Sequence, residues 1–220
     1  PDQIEKLLRD FGAINIGTVG KRFGTITAEF EGETIEATTY RSEAYEESSR
    51  QPTVTFGHTI QEDLSRRDFT VNAIALEVET DQILDPYDGA GDLERKIIRS
   101  VGRAEERFSE DPLRMLRAIR FMVGLEFTIE PATVSAITAE RSRFAILSSE
   151  RVAQEMNKIL QAGKPSRAIE VMVQTELINY ILPELLPSID LEFEPGTHKD
   201  IYGHIIQVLD QTPPKLELRW

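Results

Sequence analysis

The spacing of apolar residues changes near residue 105, and this change constrains the fold more than any other feature of the sequence. Before it, GKRFGTITAEF (20–30) and ETIEATTYR (33–41) alternate apolar and polar positions, a pattern typical of two strands joined by a turn at Glu31–Gly32. After it, apolar residues recur every three or four positions, which predicts helices, over 110–124, 131–140, 149–161, 165–177 and 199–210. We therefore expect an α+β part followed by a helical part.

Composition places the protein in a broad class. The 220 residues, 40% of them hydrophobic, suffice for one or two domains. No apolar run approaches the length of a membrane span and no secretion signal is visible, which indicates the cytoplasm. Cysteine is absent, which excludes disulfides and thiolate metal sites. The net charge of −13 argues against a uniformly basic surface, although a local positive groove is compatible with it.

Both ends of the sequence fall inside helical patterns. The chain begins with PDQIEKLLRDFG and ends with LELRW, each of which has the apolar spacing of an amphipathic helix. We therefore expect an internal piece of a longer protein.

The region between the first two strands and the helical part is less regular. The stretch SEAYEESSRQPTVTFGHTIQ is polar and has no clean period, which is typical of either a functional flap, at 43–60, or a disordered segment. The next stretch, 62–89, predicts a short helix, a strand, a turn near Thr80–Asp81 and a second strand that ends in the loop DPYDG.

The segment DLSRRDFTVNA concentrates forked donors, an acceptor and an amide between two apolar stretches. Its polar residues include Arg66, Arg67, Asp68, Thr70 and Asn72. Arginine can hold phosphate oxygens at two points and a nearby carboxylate can accept from ribose hydroxyls, so the segment suits a phosphate-and-sugar ligand. The alternative is a helix terminus whose charges form salt bridges with one another.

The segment EDPLRMLRAIRF places three arginines on one arc of a helix. Arg114, Arg117 and Arg120 share that arc, and apolar residues fill the opposite one. Asp111 and Arg114, three apart, would present an acceptor beside a donor, which matches the edges of cytosine and adenine and mismatches those of uracil and guanine. The alternative is a surface helix whose arginines pair with Glu110, Asp111 and solvent.

Together these segments resemble a known family. RRDFTVNAIA, DPYDGAGDL and EDPLRMLRAIRF are similar to successive motifs of the class II, bacterial-type tRNA nucleotidyltransferase and poly(A) polymerase family. GKRFGTITAEF, IEATTYR and LSSERVAQEMNKIL resemble that family's remaining pattern, so the resemblance covers most of residues 1–190. It implies an α+β fold with a partial nucleotidyltransferase head at 1–100, a helical neck at 101–190 and the start of a helical HD-type domain at 191–220.

The resemblance also implies roles for individual residues. Arg67 would contact the incoming nucleotide, and Asp68 and Asn72 would line its ribose and triphosphate side. Asp111 and Arg114 would read the base edge, helped by Arg117 and Arg120. Three further residues would brace the neck: Glu150, Arg151 and Glu155.

The activity implied is template-independent addition of CMP and AMP, from CTP and ATP, to the 3′ end of tRNA, with release of pyrophosphate. A poly(A) polymerase that uses only ATP, a specialised CC- or A-adding enzyme, and a non-catalytic RNA- or nucleotide-binding protein are the alternatives. The flap at 43–60 would resemble a loop of the family that helps the final A addition.

The resemblance implies a Mg²⁺ cofactor as well. The family's Gly-rich segment and Asp-x-Asp metal pair would lie upstream of Pro1, so we expect residues 1–220 alone to be inactive. Glu36 resembles the position of a third carboxylate that approaches the metals. His204 would be the first ligand of the HD-type domain, whose site would be completed beyond Trp220.

Overall fold

The computed structural model describes residues 1–21, 24–44, 53–56, 59–189, 191 and 201–220. The chain forms two compact units, Pro1–Arg67 and Asp68–Trp220. The mixed α+β class that the sequence predicts is confirmed. The domain limits of 1–100, 101–190 and 191–220 stay a prediction.

The first unit combines two helices with short antiparallel strands. Its elements are α1 (Asp2–Asp10), β1 (Ile14–Gly17), β2 (Thr25–Phe30), β3 (Glu33–Thr38), β4 (Arg41–Ala44), β5 (Thr53–Phe56) and α2 (Ile60–Ser65). Strands β1, β2 and β3 form one antiparallel sheet in that order. The hairpin between β2 and β3 is confirmed, with Glu31 and Gly32 both at positive φ, the conformation that two-residue hairpin turns require.

The predicted flap contains strands that the sequence pattern did not indicate. Residues 41–44 pair antiparallel with residues 53–56. The remainder of the flap, at 45–52 and 57–58, lies outside the described residues.

The second unit is mostly helical. Its elements are β6 (Ala75–Glu77), β7 (Gln82–Leu84), α3 (Gly89–Arg95), β8 (Ile97–Ile98), α4 (Ala104–Glu110), α5 (Leu113–Gly124), β9 (Thr128–Ile129), α6 (Pro131–Glu140), α7 (Ser149–Leu160), α8 (Ser166–Gln174), α9 (Ile201–Gln211) and α10 (Leu216–Arg219). Strands β6 and β7 form the predicted hairpin, with Asp81 at positive φ in its turn. Strands β8 and β9 pair in parallel.

The predicted helix at 110–124 needs a correction. Glu110 is the last residue of α4, and α5 begins only at Leu113. Asp111 has an extended backbone between the two helices, and its Oδ1 accepts from the Leu113 N–H at 3.2 Å. Proline disfavours the helical conformation in the residue before it, so the predicted helix begins three residues late, after a separate helix α4 that the sequence pattern did not indicate.

Helix α5 lies in the core of the second unit. Its apolar residues Met115, Leu116, Ala118, Ile119 and Val123 are buried, as the sequence predicts. It packs against α7 and α8. Within the described residues, no helix is long and apolar enough to cross a membrane.

Candidate nucleotide-binding residues

Asp68 contacts two other predicted site residues of the second unit, Asn72 and Arg117. Its Oδ1 accepts from the Phe69 N–H at 2.9 Å and from Asn72 Nδ2 at 3.1 Å. Its Oδ2 accepts from Arg117 Nε at 2.8 Å and Nη2 at 2.5 Å. The carboxylate is thus fixed by a backbone amide, an amide side chain and a guanidinium from a different element.

A 3-10 turn at Thr70–Asn72 positions Asn72. The buried carboxylate of Asp92 holds that turn in place. Thr70 Oγ1 donates to Asp92 Oδ2 at 2.6 Å, and the Thr70 N–H donates to the Arg99 carbonyl at 3.0 Å. Arg99 Nε and Arg95 Nη2 each donate to Asp92 at 2.8 Å. Burial raises the pKa of Asp92, but the hydrogen bonds from Thr70, Arg95 and Arg99 outweigh it, so the pKa lies below its ordinary value.

Sequence reasoning assigned no role to Asp92. A signal was present in GDLER, because an aspartate three residues before an arginine is placed to pair with it if the segment is helical, but no helix was predicted there. Its contact with Thr70, 22 positions away, needed the structure.

The rest of the arginine stripe surrounds Phe121. The guanidinium carbon of Arg120 lies 3.9 Å from the Phe121 ring centroid, and that of Arg117 lies 5.4 Å from it. Arg120 Nε also donates to Glu155 Oε2 at 2.5 Å. These contacts fix both cations over an aromatic face.

The predicted base-reading residues are each held by a different partner. Asp111 Oδ2 accepts from Arg151 Nη2 at 2.9 Å. Arg114 Nη1 donates to Glu110 Oε2 at 2.7 Å and to the Arg107 carbonyl at 3.2 Å, and the Arg114 residue is only 7% exposed. Pairing of Arg114 with Glu110, which the surface-helix alternative included, is therefore confirmed, while the surface location is wrong because Arg114 is buried. The base-reading role stays a prediction.

Helix α7 supplies two of these partners. Glu155 is buried and pairs with Arg120 on α5 and with Lys158. Arg151 pairs with Asp111, just before α5. These contacts join α7 to the α5 region, as the predicted bracing role requires.

In the first unit, Asp63 holds the two adjacent arginines that the sequence singled out. Its Oδ1 accepts from Arg66 Nε at 3.1 Å and Nη2 at 2.5 Å, and its Oδ2 accepts from Arg67 Nε at 3.3 Å and Nη2 at 3.0 Å. Burial raises the pKa of Asp63, but Arg66 and then Arg67 outweigh it and hold the pKa below its ordinary value. Sequence reasoning missed Asp63, although its place three and four residues before the arginines was a signal.

Glu36 and His204 are the remaining candidates. Glu36 is exposed on β3, opposite Thr27 of β2. His204 is exposed on α9. The described residues contain no group of three or more histidine, cysteine, aspartate or glutamate side chains that could hold a metal ion.

Comparisons with known proteins agree with this architecture. Residues 1–99 match the family model described as the Poly A polymerase head domain, and residues 126–189 match that described as the probable RNA and SrmB-binding site of polymerase A. The CCA-adding enzyme of Bacillus subtilis is 43% identical over 178 residues, which are 80% of this chain and 43% of that protein. The CCA-adding enzyme of Lactobacillus johnsonii is 40% identical over 197 residues, which are 86% of this chain and 49% of that protein.

A solved structure gives the same result. The crystal structure of the Bacillus stearothermophilus CCA-adding enzyme in complex with CTP superposes with a TM-score of 0.70 at 34% identity, covering 90% of this chain and 44% of that one. The fold and the ordered motifs define a nucleotidyltransferase head followed by a helical unit. The chain belongs to the class II tRNA nucleotidyltransferase and poly(A) polymerase family. It spans about half the length of the curated relatives it matches.

Proposed function

We propose that the protein is a template-independent RNA nucleotidyltransferase that adds CMP and AMP, from CTP and ATP, to the 3′ end of tRNA and releases pyrophosphate. The observation that carries this proposal is the identity of 40–43% to CCA-adding enzymes over at least four fifths of the chain. The solved relative at 34% identity was crystallised with CTP, which supports CTP as one substrate.

The contacts within each unit support separate roles for the candidate residues in binding the phosphate, the ribose and the base of a nucleotide. Arg67, in the first unit, has a side chain that is 44% exposed and suits a phosphate oxygen. In the second unit, Asp68 and Asn72 suit the hydroxyls of a ribose. Arg117, which donates to Asp68, forms a cationic and aromatic surface together with Arg120 and Phe121.

Asp111 and Arg114 would read the base. If both side chains meet one base edge, their acceptor and donor complement the amine and ring nitrogen of cytosine or adenine, and they oppose the carbonyl and ring N–H of uracil or guanine. Arg151 and Glu110 hold these two side chains in place before a nucleotide binds, which lowers the cost of ordering them.

A divalent cation, Mg²⁺ by the family resemblance, would neutralise the triphosphate charge in the intact protein. The described residues offer no cluster of ligands for it. Glu36 stays a proposed third carboxylate, and its exposure on β3 is compatible with that role.

A poly(A) polymerase that uses only ATP is the second candidate, because the two matching family models are named for that enzyme. Both candidates need a donor and acceptor that accept adenine, so Asp111 and Arg114 do not separate them.

Product length separates the candidates. The full-length protein is incubated with tRNA that ends just before CCA, together with CTP and ATP, and the product is resolved to single nucleotides. We expect extension by three nucleotides and then arrest. A long tail made from ATP alone would identify the poly(A) polymerase, and nucleotide binding without extension would identify a binding protein.

A further inference from the structure

One buried carboxylate in the first unit accepts hydrogen bonds from two guanidinium groups. Asp63 lies on α2, three residues before Arg66 and four before Arg67, so both arginines lie on its side of the helix end. Each carboxylate oxygen accepts from the Nε and Nη2 of one arginine. The side chain of Asp63 is 5% exposed. Its hydrogen bonds are therefore largely shielded from water, and a hydrogen bond is stronger in the protein interior than in water.

The two arginines differ in what they offer to a ligand. The side chain of Arg66 is 15% exposed, whereas that of Arg67 is 44% exposed. Because Asp63 grips Arg67 through Nε and Nη2, the Nη1 end of that guanidinium is turned away from Asp63. The two guanidinium groups share one carboxylate, and Arg67 is the one that is more exposed to solvent.

We propose that Asp63 is a positioning residue that aims Arg67 at a phosphate of the incoming nucleotide. This inference rests on the proposed function, which makes Arg67 a nucleotide contact. Asp63 also pairs with Arg66, whose side chain is only 15% exposed, which leaves Arg67 as the more accessible donor of the two. A guanidinium fixed before binding loses less rotamer freedom when it meets its ligand.

A double-mutant cycle tests whether Asp63 acts through Arg67. The full-length protein is prepared as wild type, Asp63→Asn, Arg67→Ala and the double variant, and KM and kcat are measured for CTP and ATP. We expect Asp63→Asn to raise both KM values about ten-fold, as loss of one charge-assisted hydrogen bond does, with kcat little changed. In the Arg67→Ala background, Asp63→Asn should change KM no further.

The cycle has a control and a second variant. Glu5→Gln removes another carboxylate that pairs with an arginine four residues along a helix, Arg9, and should leave KM unchanged. If Asp63→Asn does not fold, as a melting curve would show, Arg67→Lys provides the test, because lysine keeps the charge but cannot be held at two points. It should raise KM about ten-fold too, and a wild-type KM would overturn the proposal.

Other outcomes are equally decisive. An equal rise of KM on Asp63→Asn in both backgrounds, or none in either, would overturn the positioning role. The dissociation constant for CTP is measured on every variant as well. A wild type that binds CTP but extends no tRNA speaks against the proposed function, yet the cycle can still be read from the dissociation constants.

Discussion

At the scale of single residues, the charged side chains proposed to contact the nucleotide are each paired with an opposite charge. The pairs are Arg67 with Asp63, Asp68 with Arg117, Asp111 with Arg151, and Arg114 with Glu110. Dipoles and charges that are fixed before the ligand arrives do not have to reorganise during the reaction. The pairs therefore suit a site whose geometry, rather than its net charge, decides what binds.

Replacing Arg114 tests the base-reading role. Arg114→Ala removes the donor to the ring nitrogen but leaves Asp111 to accept from the amine. We expect discrimination of CTP and ATP against UTP and GTP to fall by roughly 1.5–3 kcal/mol, about ten- to a hundred-fold. The measurement is the rate of incorporation of each nucleotide by the full-length protein, with a melting curve for the fold.

Arg103→Ala is the control for that experiment, because Arg103 pairs with Glu106 on the exposed face of α4 and is 73% exposed itself. It should leave discrimination unchanged. If Arg114→Ala slows all four nucleotides alike while the fold survives, Arg114 serves phosphate binding or packing instead.

Asp92 gives a prediction about stability and pH. Asp92→Asn takes the charge away from Arg95 and Arg99, and we expect it to lower the free energy of unfolding by about 2 kcal/mol near pH 7. That is less than the roughly 3–5 kcal/mol of a fully buried pair, because both arginines are partly exposed.

The pH dependence of that loss follows from the lowered pKa of Asp92. The stabilisation is complete above the unfolded-state pKa of about 3.9 and is lost as the pH falls below it toward the folded-state value. Urea unfolding of wild type and Asp92→Asn should therefore differ most at neutral pH and converge in acid. Asp88→Asn removes the exposed partner of Arg95 and should cost under about 0.5 kcal/mol; equal losses for the two variants would contradict this account.

The residue types of the candidate site were predictable, but their partners were not. The sequence concentrates three polar residues between apolar segments, Arg67, Asp68 and Asn72, and they stand out for that reason. Arg117 meets Asp68 across 49 positions and Arg151 meets Asp111 across 40. Such distances depend on how α5 and α7 pack, which local spacing does not encode.

At the scale of elements, the confirmed predictions are those made from turn residues and from long periodic segments. The two hairpins were found because Glu31–Gly32 and Thr80–Asp81 provide residues that tolerate positive φ. Strands of two to four residues show no period, and β1, β4, β5, β8 and β9 were missed because no turn signal marked them as one did between β6 and β7. Helix α4 was missed because only two of its seven residues are apolar, Ala104 and Phe108.

Helix α3 depends on a glycine at its start. A Cβ atom on Gly89 would lie 2.2 Å from the Thr70 carbonyl oxygen and 2.8 Å from Ile74 Cγ1. Gly89→Ala should therefore force α3 and the Thr70–Asn72 turn apart and destabilise the protein by about 1–3 kcal/mol. The same variant should weaken CTP binding by the full-length protein, because the turn carries Asn72.

Gly124→Ala is the matched substitution. Gly124 ends α5 and has open space where its Cβ would lie, so alanine should stabilise by up to about 1 kcal/mol. Thermal melting of both variants decides the matter, and a Gly89→Ala protein as stable as wild type would show that the turn and α3 can move apart without cost.

At the scale of the whole molecule, an acidic chain carries a local group of arginines. The net charge is −13, yet Arg114, Arg117 and Arg120 follow one another along α5. A protein of this charge gains little from non-specific attraction to RNA phosphates. Under the proposed function, selection of the nucleotide would come from a few oriented contacts, and this is the central claim of that proposal.

The most direct test of that claim is a competition among all four nucleotides. The full-length protein receives CTP, ATP, UTP and GTP together with two tRNAs, one ending just before CCA and one ending in CC, and the 3′ ends of the products are sequenced. We expect C on the first tRNA and A on the second, with U and G below both by roughly a hundred-fold, as two mismatched hydrogen bonds would produce. Incorporation of U or G at rates similar to C and A, or runs of A on both tRNAs, would contradict it.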